Sequence, residues 1–448
     1  MEIGERLAGR ILILAPAGRI DNETSPAFQA RLIAEVTAAK ADVVIDFGRV
    51  EYISSAGLRT LMAASKQAKR SQGRVAVAAL NPLVQEIFEI SRFSYVLPVV
   101  ANVEAALAAW QAGSAAPGAG AAEAARQAPS ASGPIVVRFW GTRGSLPAPL
   151  GHVALRRKIR AALVAANGRR FEPAEALDTF IDRELPFSVS STFGGNSSCV
   201  EIATGGAEYV LCDLGTGARE FGNRVLAEHG PSRKHRFNIF MSHVHWDLFT
   251  PAYIPGNVIR IYGCHKTLRE AFLRQQSEPC FPVDFSALGA SIEFIELEPG
   301  RNYEVAGLGV KAIRQFHAGD SYGYRFTGGG KSVVYSTDSE HKFTTLDDSY
   351  PFVEFFREAD LLIFDAMYAL SDAISVKEDW GHSSNIVAVE LAHLARVKRL
   401  VMYHHEPAYD DRMIENVLSE TIRFEEISRS GHKVEVSSAY DGLEIVLE

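Results

Sequence analysis

The sequence predicts an α/β protein in two parts, and three observations carry that expectation. Through residues 1–111, short apolar runs bounded by turn residues alternate with segments of helical spacing. A low-complexity stretch follows at 112–134. Over 135–448 strand-like runs recur, and many end in a polar or charged group, as in α/β domains that assemble a site on the loops at their strand ends. The 448 residues allow two to four domains at roughly 100–200 residues each.

In the first part, ILILAPAG (11–18) and VVIDF (43–47) read as buried strands. Between them Phe28, Leu32 and Val36 recur four residues apart, which predicts a helix over 26–39. A helix over 56–71 places Leu58, Leu61 and Met62 on one face, and Val75–Leu80 is a further strand. Pro82 opens a short helix through Ile90, and Val103–Trp110 forms the last one. The chemistry-bearing residues here are Asp21, Asp46 and the loop YISSAGL at 52–58. That loop leads from the 43–47 strand into the following helix, so Ser54 or Ser55 sits at a helix N-terminus. A serine caps a helix there, and the free N–H groups and helix dipole also favour a phosphate.

Of the 23 residues at 112–134, 20 are Ala, Gly, Ser or Pro. Such a segment cannot fill a core and is expected to be a flexible tether.

In the second part, apolar runs such as IVVRFWG, YVLCDLG, FNIFMSH, SVVYSTD, LLIFDAM and RLVMYHH mark successive strands. Over about 151–190 the spacing of Leu155, Ile159 and Leu163, then a stretch after Pro173 through Leu185, predicts a helical insert. It is expected either to pack over a sheet edge or to act as a lid. The strongest motif is Ser242-His243-Val244-His245-Trp246-Asp247. Two imidazoles one residue apart, where a strand turns into a loop, can face one ion, and Asp247 adds an oxygen ligand for a second. His317, Asp338, His382 and His404, at later strand ends, extend the constellation. Imidazole with carboxylate suits Zn, with Mn or Fe as alternatives.

Composition limits the partners. Hydrophobic residues make up 47% and charged residues 22%, the profile of a globular chain. No apolar run approaches the ~18 residues of a membrane span, and the start lacks a signal-peptide apolar region, so a cytoplasmic protein without membrane contact is expected. Cys199, Cys212, Cys264 and Cys280 are scattered, which suits reduced, buried thiols. The net charge of -8 divides unevenly. Residues 1–111 hold 12 basic and 11 acidic residues, whereas 135–448 hold 33 and 42. Long RNA or DNA is a poor partner for the acidic part, because such binding draws on phosphate neutralisation.

GRID at 18–21, VVIDFGRVEYISSAGLRTL at 43–61 and LNPLVQEIFEISRF at 80–93 resemble a STAS domain, the anti-sigma-factor-antagonist family of partner-switching systems. The resemblance implies a STAS α/β sandwich over 1–111. It makes Ser55 the phosphorylated residue and Asp21 its acidic neighbour. Ser54 stands where the family usually carries an acid. The implied partners are a GHKL-type serine kinase or anti-sigma-like protein and a phosphatase.

The segments VRFWGTRGSLP (137–147), FGGNSSCVEI (193–202), LCDLGTGARE (211–220), SHVHWD, FHAGDSYGYRF (316–326), YSTD (335–338), FDAMY (364–368), WGHSS (380–384) and MYHHEP (402–407) resemble the metallo-β-lactamase fold. They resemble more closely its branch containing tRNA 3′-processing endonucleases and cyclic-nucleotide or other phosphodiesterases. The resemblance implies an αββα sandwich over 135–448. It assigns His243, His245 and His317 to a first metal, Asp338 to a bridge, and Asp247 and His404 to a second metal. Asp213 braces the site, and His382, oriented by Asp365, serves as general acid. Asp247 also counts among the catalytic residues. Leu248 replaces a histidine ligand of the family, so one or two ions are expected, with water or His405 completing the second site. The implied function is a metal-dependent hydrolase of a small phosphodiester, such as a cyclic nucleotide, regulated through the STAS module. The alternatives are a signalling adaptor with a non-catalytic metal- or ligand-sensing domain, and an ester or lactone hydrolase.

Overall fold

The computed structural model describes residues 2–448 apart from 9–10, 39–41, 71–72, 92, 94–96, 98, 113–133, 173, 231–232, 245–248, 279–280, 282–283, 342–348, 371, 373–376 and 378. His245, Asp247 and Leu248, Cys280 and nearly all of the expected tether therefore lie outside the described residues.

The N-terminal sheet contains β1 (Glu2–Ala8), β2 (Ile11–Ile20), β3 (Asp42–Asp46), β4 (Arg49–Ile53), β5 (Val75–Ala78) and β6 (Val99–Val100). Its order is β1-β2-β3-β5-β6, with β4 pairing β2. Apart from the antiparallel β1–β2 hairpin the pairs are parallel. Phe28, Leu32 and Val36 of helix Ser25–Ala38 and Leu58, Leu61 and Met62 of helix Ser55–Arg70 are buried, as their spacing requires. The sequence reading did not contain β1, β4 or β6. β4 separates the 43–47 strand from the serine loop, so the loop follows β4. Asp46 accepts from the Gly48 N–H at 3.0 Å and shapes the turn between β3 and β4.

The C-terminal strands are β7 (Ile135–Gly141), β8 (Cys199–Ala203), β9 (Glu208–Cys212), β10 (Arg236–Phe240), β11 (Val258–Gly263), β12 (Ser291–Glu296), β13 (Asn302–Val305), β14 (Leu308–Gln315), β15 (Ser321–Gly328), β16 (Lys331–Ser336), β17 (Leu361–Asp365), β18 (Arg399–Tyr403), β19 (Glu435–Ser438) and β20 (Glu444–Leu447). They form two sheets, ordered β12-β11-β10-β9-β8-β7-β20 and β13-β14-β15-β16-β17-β18-β19. Phe139, Val200, Tyr324, Tyr335, Ile363 and Tyr403 interdigitate in the core between them. Helix Gly217–His229 covers the outer face of the first sheet, and helices Asn385–Leu394 and Asp411–Ser428 cover the second. The result is a four-layered α/β/β/α sandwich. Parallel strands β9–β12 and β16–β19 end on the same chemistry: Asp213, Ser242, Asp338, Asp365 and His404 all lie at or just beyond a strand end.

The insert is helical at His152–Ala166 and Glu175–Arg183. The first helix has no buried residue, and Leu163 is 69% exposed. The insert is held to the domain by Phe180 and Leu185, which are buried, and by Lys158, which meets Asp411 at 2.6 Å, whereas Leu155, Ile159 and Leu163 of the first helix stay largely exposed.

The two halves pack against each other. One apolar cluster runs from Leu61, Val84 and Phe88 to Phe352, Leu391 and Phe424. At its rim Arg423 forms a paired contact to Glu86, Nε to Oε1 at 2.5 Å and Nη2 to Oε2 at 2.9 Å.

Candidate metal centre and acid–base dyad

The site begins with backbone that only a packed sandwich can hold. Asp213, Asp338 and His404 follow strands β9, β16 and β18 and take positive φ of 57°, 53° and 62°. A left-handed conformation at a non-glycine residue costs about 1–3 kcal/mol and persists where the surroundings over-determine it. Each turn swings a side chain across the strand ends towards a common point.

Asp338 is the centre. His404 Nε2 lies 3.4 Å from its Oδ1, and His243 Nδ1 lies 3.8 Å from its Oδ2. Ring nitrogens of His317 and His382 and an Asp338 oxygen all lie within 4.8 Å of one another. Burial alone would raise the Asp338 pKa, but the four imidazoles of His404, His243, His382 and His317 outweigh it and hold the carboxyl well below the usual range. Asp338 is therefore an anion at neutral pH.

The rings are oriented from behind. His404 Nδ1 is engaged by Thr337 Oγ1 at 2.8 Å and Ser198 Oγ at 3.2 Å, which leaves Nε2 towards Asp338. His317 Nδ1 donates to the Gly381 carbonyl at 3.0 Å. Gly381 has φ +85°, and a Cβ there would stand 2.2 Å from His317 Nδ1, so the position requires glycine. Asp213 accepts from the Ser242 N–H at 2.8 Å, the Ser242 hydroxyl at 2.6 Å and the Tyr335 hydroxyl at 2.8 Å. It thus fixes the residue before His243, whose Nδ1 lies 2.9 Å from Ser242 Oγ.

The donor set can be tested for a cation. Asp338 Oδ2 and His404 Nε2 are buried and have no hydrogen-bond partner among the described residues. A buried carboxylate oxygen and a ring nitrogen without a donor between them are costly unless something positive satisfies both. The residues present fit a divalent cation. The Nε2 of His405 is turned to the Ala439 carbonyl at 2.9 Å, and burial pushes its pKa down to about 3, so the ring is neutral.

Beside this centre lies a dyad. His382 Nδ1 and Asp365 Oδ2 are 2.9 Å apart, and both side chains are buried. Asp365 also accepts from Ser339 N–H at 3.1 Å and Met367 N–H at 3.3 Å. Burial works to lower the His382 pKa, but the charge and hydrogen bond of Asp365 prevail and raise it to about 9. Outside the dyad a cleft of about 590 Å³ opens, lined by Arg314, Phe316, His317, Glu340 and Gly381. That is the size of a small-molecule site.

On the N-terminal domain, Ser54 is the helix cap: its carbonyl accepts from Leu58 at 3.0 Å and its hydroxyl from Gly57 at 3.4 Å. A Cβ on Gly57 would meet Ile20 Cγ2 at 2.7 Å, which explains the glycine of the motif. Asp21 bonds Thr24 at the start of the first helix, and Ser54 N–H reaches the adjoining Ile20 carbonyl at 2.8 Å. Ser55 points across the domain boundary: its hydroxyl donates to Glu390 Oε2 at 2.6 Å and its N–H lies 3.2 Å from Oε1. Sequence reasoning missed Glu390. Its one signal was a lone acid within the apolar helical run NIVAVELAHL.

Comparison with known proteins settles the family of the first domain. Residues 3–98 match the family model "Mlab, STAS domain". A protein of Bordetella bronchiseptica named as an anti-sigma factor antagonist, BtrV, is 40% identical over 101 residues, which span 22% of this chain and 87% of that protein. The chain belongs to the STAS family of anti-sigma factor antagonists. Its STAS domain is joined to a metallo-β-lactamase fold, for which residues 208–405 match the model "Beta-lactamase superfamily domain". In this half the chain is 28% identical over 163 residues to ribonuclease Z of Thermoplasma acidophilum, covering 35% of this chain and 50% of that one. It thus spans about half the length of that relative. The fold protein YhfI of Bacillus subtilis aligns at 18% identity over 70% of this chain and all of its own, with a TM-score of 0.45. Among the described residues no helix is long and apolar enough to cross a membrane.

Proposed function

We propose that the STAS–metallo-β-lactamase chain is a metal-dependent phosphodiesterase acting on a small phosphodiester, a cyclic nucleotide being the favoured class. The observation that carries this reading is the His382–Asp365 pair at 2.9 Å, set beside the Asp338 centre. Asp365 keeps the imidazole protonated and fixes its ring, so His382 holds a proton where a leaving alkoxide needs one. His243, His317, Asp338 and His404 would hold the cation, with zinc favoured by their imidazole-rich set. A bound divalent ion supplies a strong nucleophile from water at neutral pH and neutralises phosphoryl charge. His245 and Asp247 complete the ligand set implied by the motif.

The similarity to ribonuclease Z supports hydrolysis of a phosphodiester. A small substrate is supported by the cleft volume and by the excess of 42 acidic over 33 basic residues in 135–448. Regulation belongs to the STAS domain, with Ser55 as its phosphorylatable residue and a serine kinase and a phosphatase as partners.

The test is turnover of bis(p-nitrophenyl) phosphate and of cyclic nucleotides by folded protein loaded with Zn, Mn or Fe. Hydrolysis that disappears on chelation is expected. A folded, metal-loaded chain that turns over none of these overturns the proposal. Metal bound without turnover would favour the sensing adaptor, the reading that the replacement of a ligand by Leu248 supports.

A further inference from the structure

Ser55 and Glu390 are 335 residues apart in sequence and meet inside the protein. Ser55 is 0% exposed and Glu390 is 2% exposed. The Glu390 carboxyl receives both the hydroxyl and the N–H of Ser55, so it occupies the N-terminus of helix Ser55–Arg70, where an anion is best received. Burial pushes its pKa up to about 8 despite these bonds.

One turn along the same helix, Arg59 Nη2 donates to the His341 carbonyl at 2.9 Å. From there the contacts lead to the dyad. His341 N–H donates to Ser383 Oγ at 3.0 Å, and Ser383 Oγ–H donates to the Ser339 carbonyl at 2.6 Å. Ser339 N–H donates to Asp365 Oδ2 at 3.1 Å, the oxygen that holds His382. Glu390 itself lies on the helix capped by Ser384, two residues after His382.

We propose that the STAS domain is an internal positioning subunit of the hydrolase: docked through Ser55–Glu390 and Arg59–His341 it sets the Asp365–His382 geometry, and negative charge at residue 55 releases it. The coupling to turnover rests on the phosphodiesterase reading above, whereas the docking does not. A carboxylate or phosphate at position 55 sets a second acid against the buried Glu390 carboxyl with no water to solvate either: the two share at most one proton, so an unpaired negative charge stays buried, and Arg59, on the same helix face as residue 55, is drawn away from the His341 carbonyl. The sealed position of Ser55 also means that a kinase reaches it only in the undocked chain, so docking and modification exclude each other.

The experiment compares full-length wild type with Ser55→Ala, Ser55→Asp, Glu390→Gln and Ser55→Asp/Glu390→Gln by small-angle scattering, side-chain histidine NMR and kinetics. Wild type, Ser55→Ala and Glu390→Gln are expected near the compact radius of gyration of about 22 Å for this length. Above about pH 8, where Glu390 is ionised, Ser55→Asp is expected to exceed it and the double variant to return, because a glutamine amide donates to the new carboxylate. The His382 Nδ1 proton resonance should move in Ser55→Asp and recover in the double variant. On bis(p-nitrophenyl) phosphate, kcat of Ser55→Asp should fall on the order of tenfold to a hundredfold with KM within about twofold. A Ser55→Asp chain as compact as wild type overturns the release by charge, and an expanded wild type overturns the docking. An expanded double variant overturns the charge-pair account, and an expanded Ser55→Asp with unchanged His382 resonance overturns the coupling. Absence of turnover in wild type overturns the phosphodiesterase reading alone, and scattering and NMR still decide this one.

Discussion

His382 Nδ1 hydrogen-bonds Asp365 Oδ2 at 2.9 Å although the two residues belong to different elements. Asp365 ends β17, and His382 sits in the loop before helix Asn385–Leu394. The helix that follows His382 packs on the second sheet, so the outer apolar layer of the fold helps to hold the proposed acid against Asp365. Replacing His382 by Ala should lower kcat by about 10²–10⁴-fold, with a small change in KM. Asp365→Asn should give a smaller loss in the same direction. Both losses should be greater for an alkyl leaving group than for p-nitrophenolate, which leaves without a proton. Equal losses with both substrates would remove His382 from the role of acid.

The raised pKa of His382 has a sign that can be checked in metal-free protein. Its pKa of about 9 lies above the ordinary value of about 6.5, so the folded state binds the proton more tightly than the unfolded state. The resulting stabilisation is fully present below about pH 6.5 and is lost as pH rises through about 9. NMR titration should show one imidazolium persisting to that pH. Asp365→Asn should bring its midpoint below that of wild type, because the anion that opposes burial is gone. An unchanged midpoint would contradict the assignment.

The orphaned atoms of Asp338 and His404 lead to a prediction about metal. Zinc at a hundredfold over its Kd should stabilise the protein by about 2.7 kcal/mol, read as a rise in the midpoint of hydrolase-domain unfolding. Asp338→Asn should abolish most of that rise, since it removes the anion towards which His243 and His404 converge. Isothermal titration of the chelated protein checks the same point without heating. Full zinc binding by Asp338→Asn would place the ion elsewhere.

The residues of the candidate site were legible as a group because strand ends carry their own signature: an apolar run stops on or just before Asp213, His243, Asp338, Asp365 or His404, and that pattern survives without coordinates. β1 was not, because Glu5 stands between Ile3 and Leu7 on one face and Glu2 and Arg6 occupy the other, charges that suit an edge strand protected from further pairing. β4 was hidden by a two-residue turn after β3 and by its closeness to the serine motif. The spacing of Leu155, Ile159 and Leu163 forecast a helix correctly but could not say what covers it, since periodicity reports a face and not its neighbour. Glu390 illustrates the same limit. A lone acid on an apolar helix signals a buried partner, yet only the packing of the two halves shows that the partner is Ser55.

Gly381 gives the narrowest test of the site's construction. It is exposed to no packing demand from a hydrophobic core; its constraints are a φ of +85° and the ring of His317. Alanine there must strain the backbone and displace Nδ1 from the Gly381 carbonyl, which frees the ring to turn its other nitrogen away from Asp338. The expected result is a destabilisation of about 1–3 kcal/mol together with a loss of metal affinity of about 10–100-fold. Gly168→Ala serves as the control, because its φ of +74° imposes the same backbone strain with nothing within 4 Å of the new Cβ. If metal affinity falls equally in both variants, strain alone accounts for the effect. If it falls only in Gly381→Ala, the glycine is needed to seat His317.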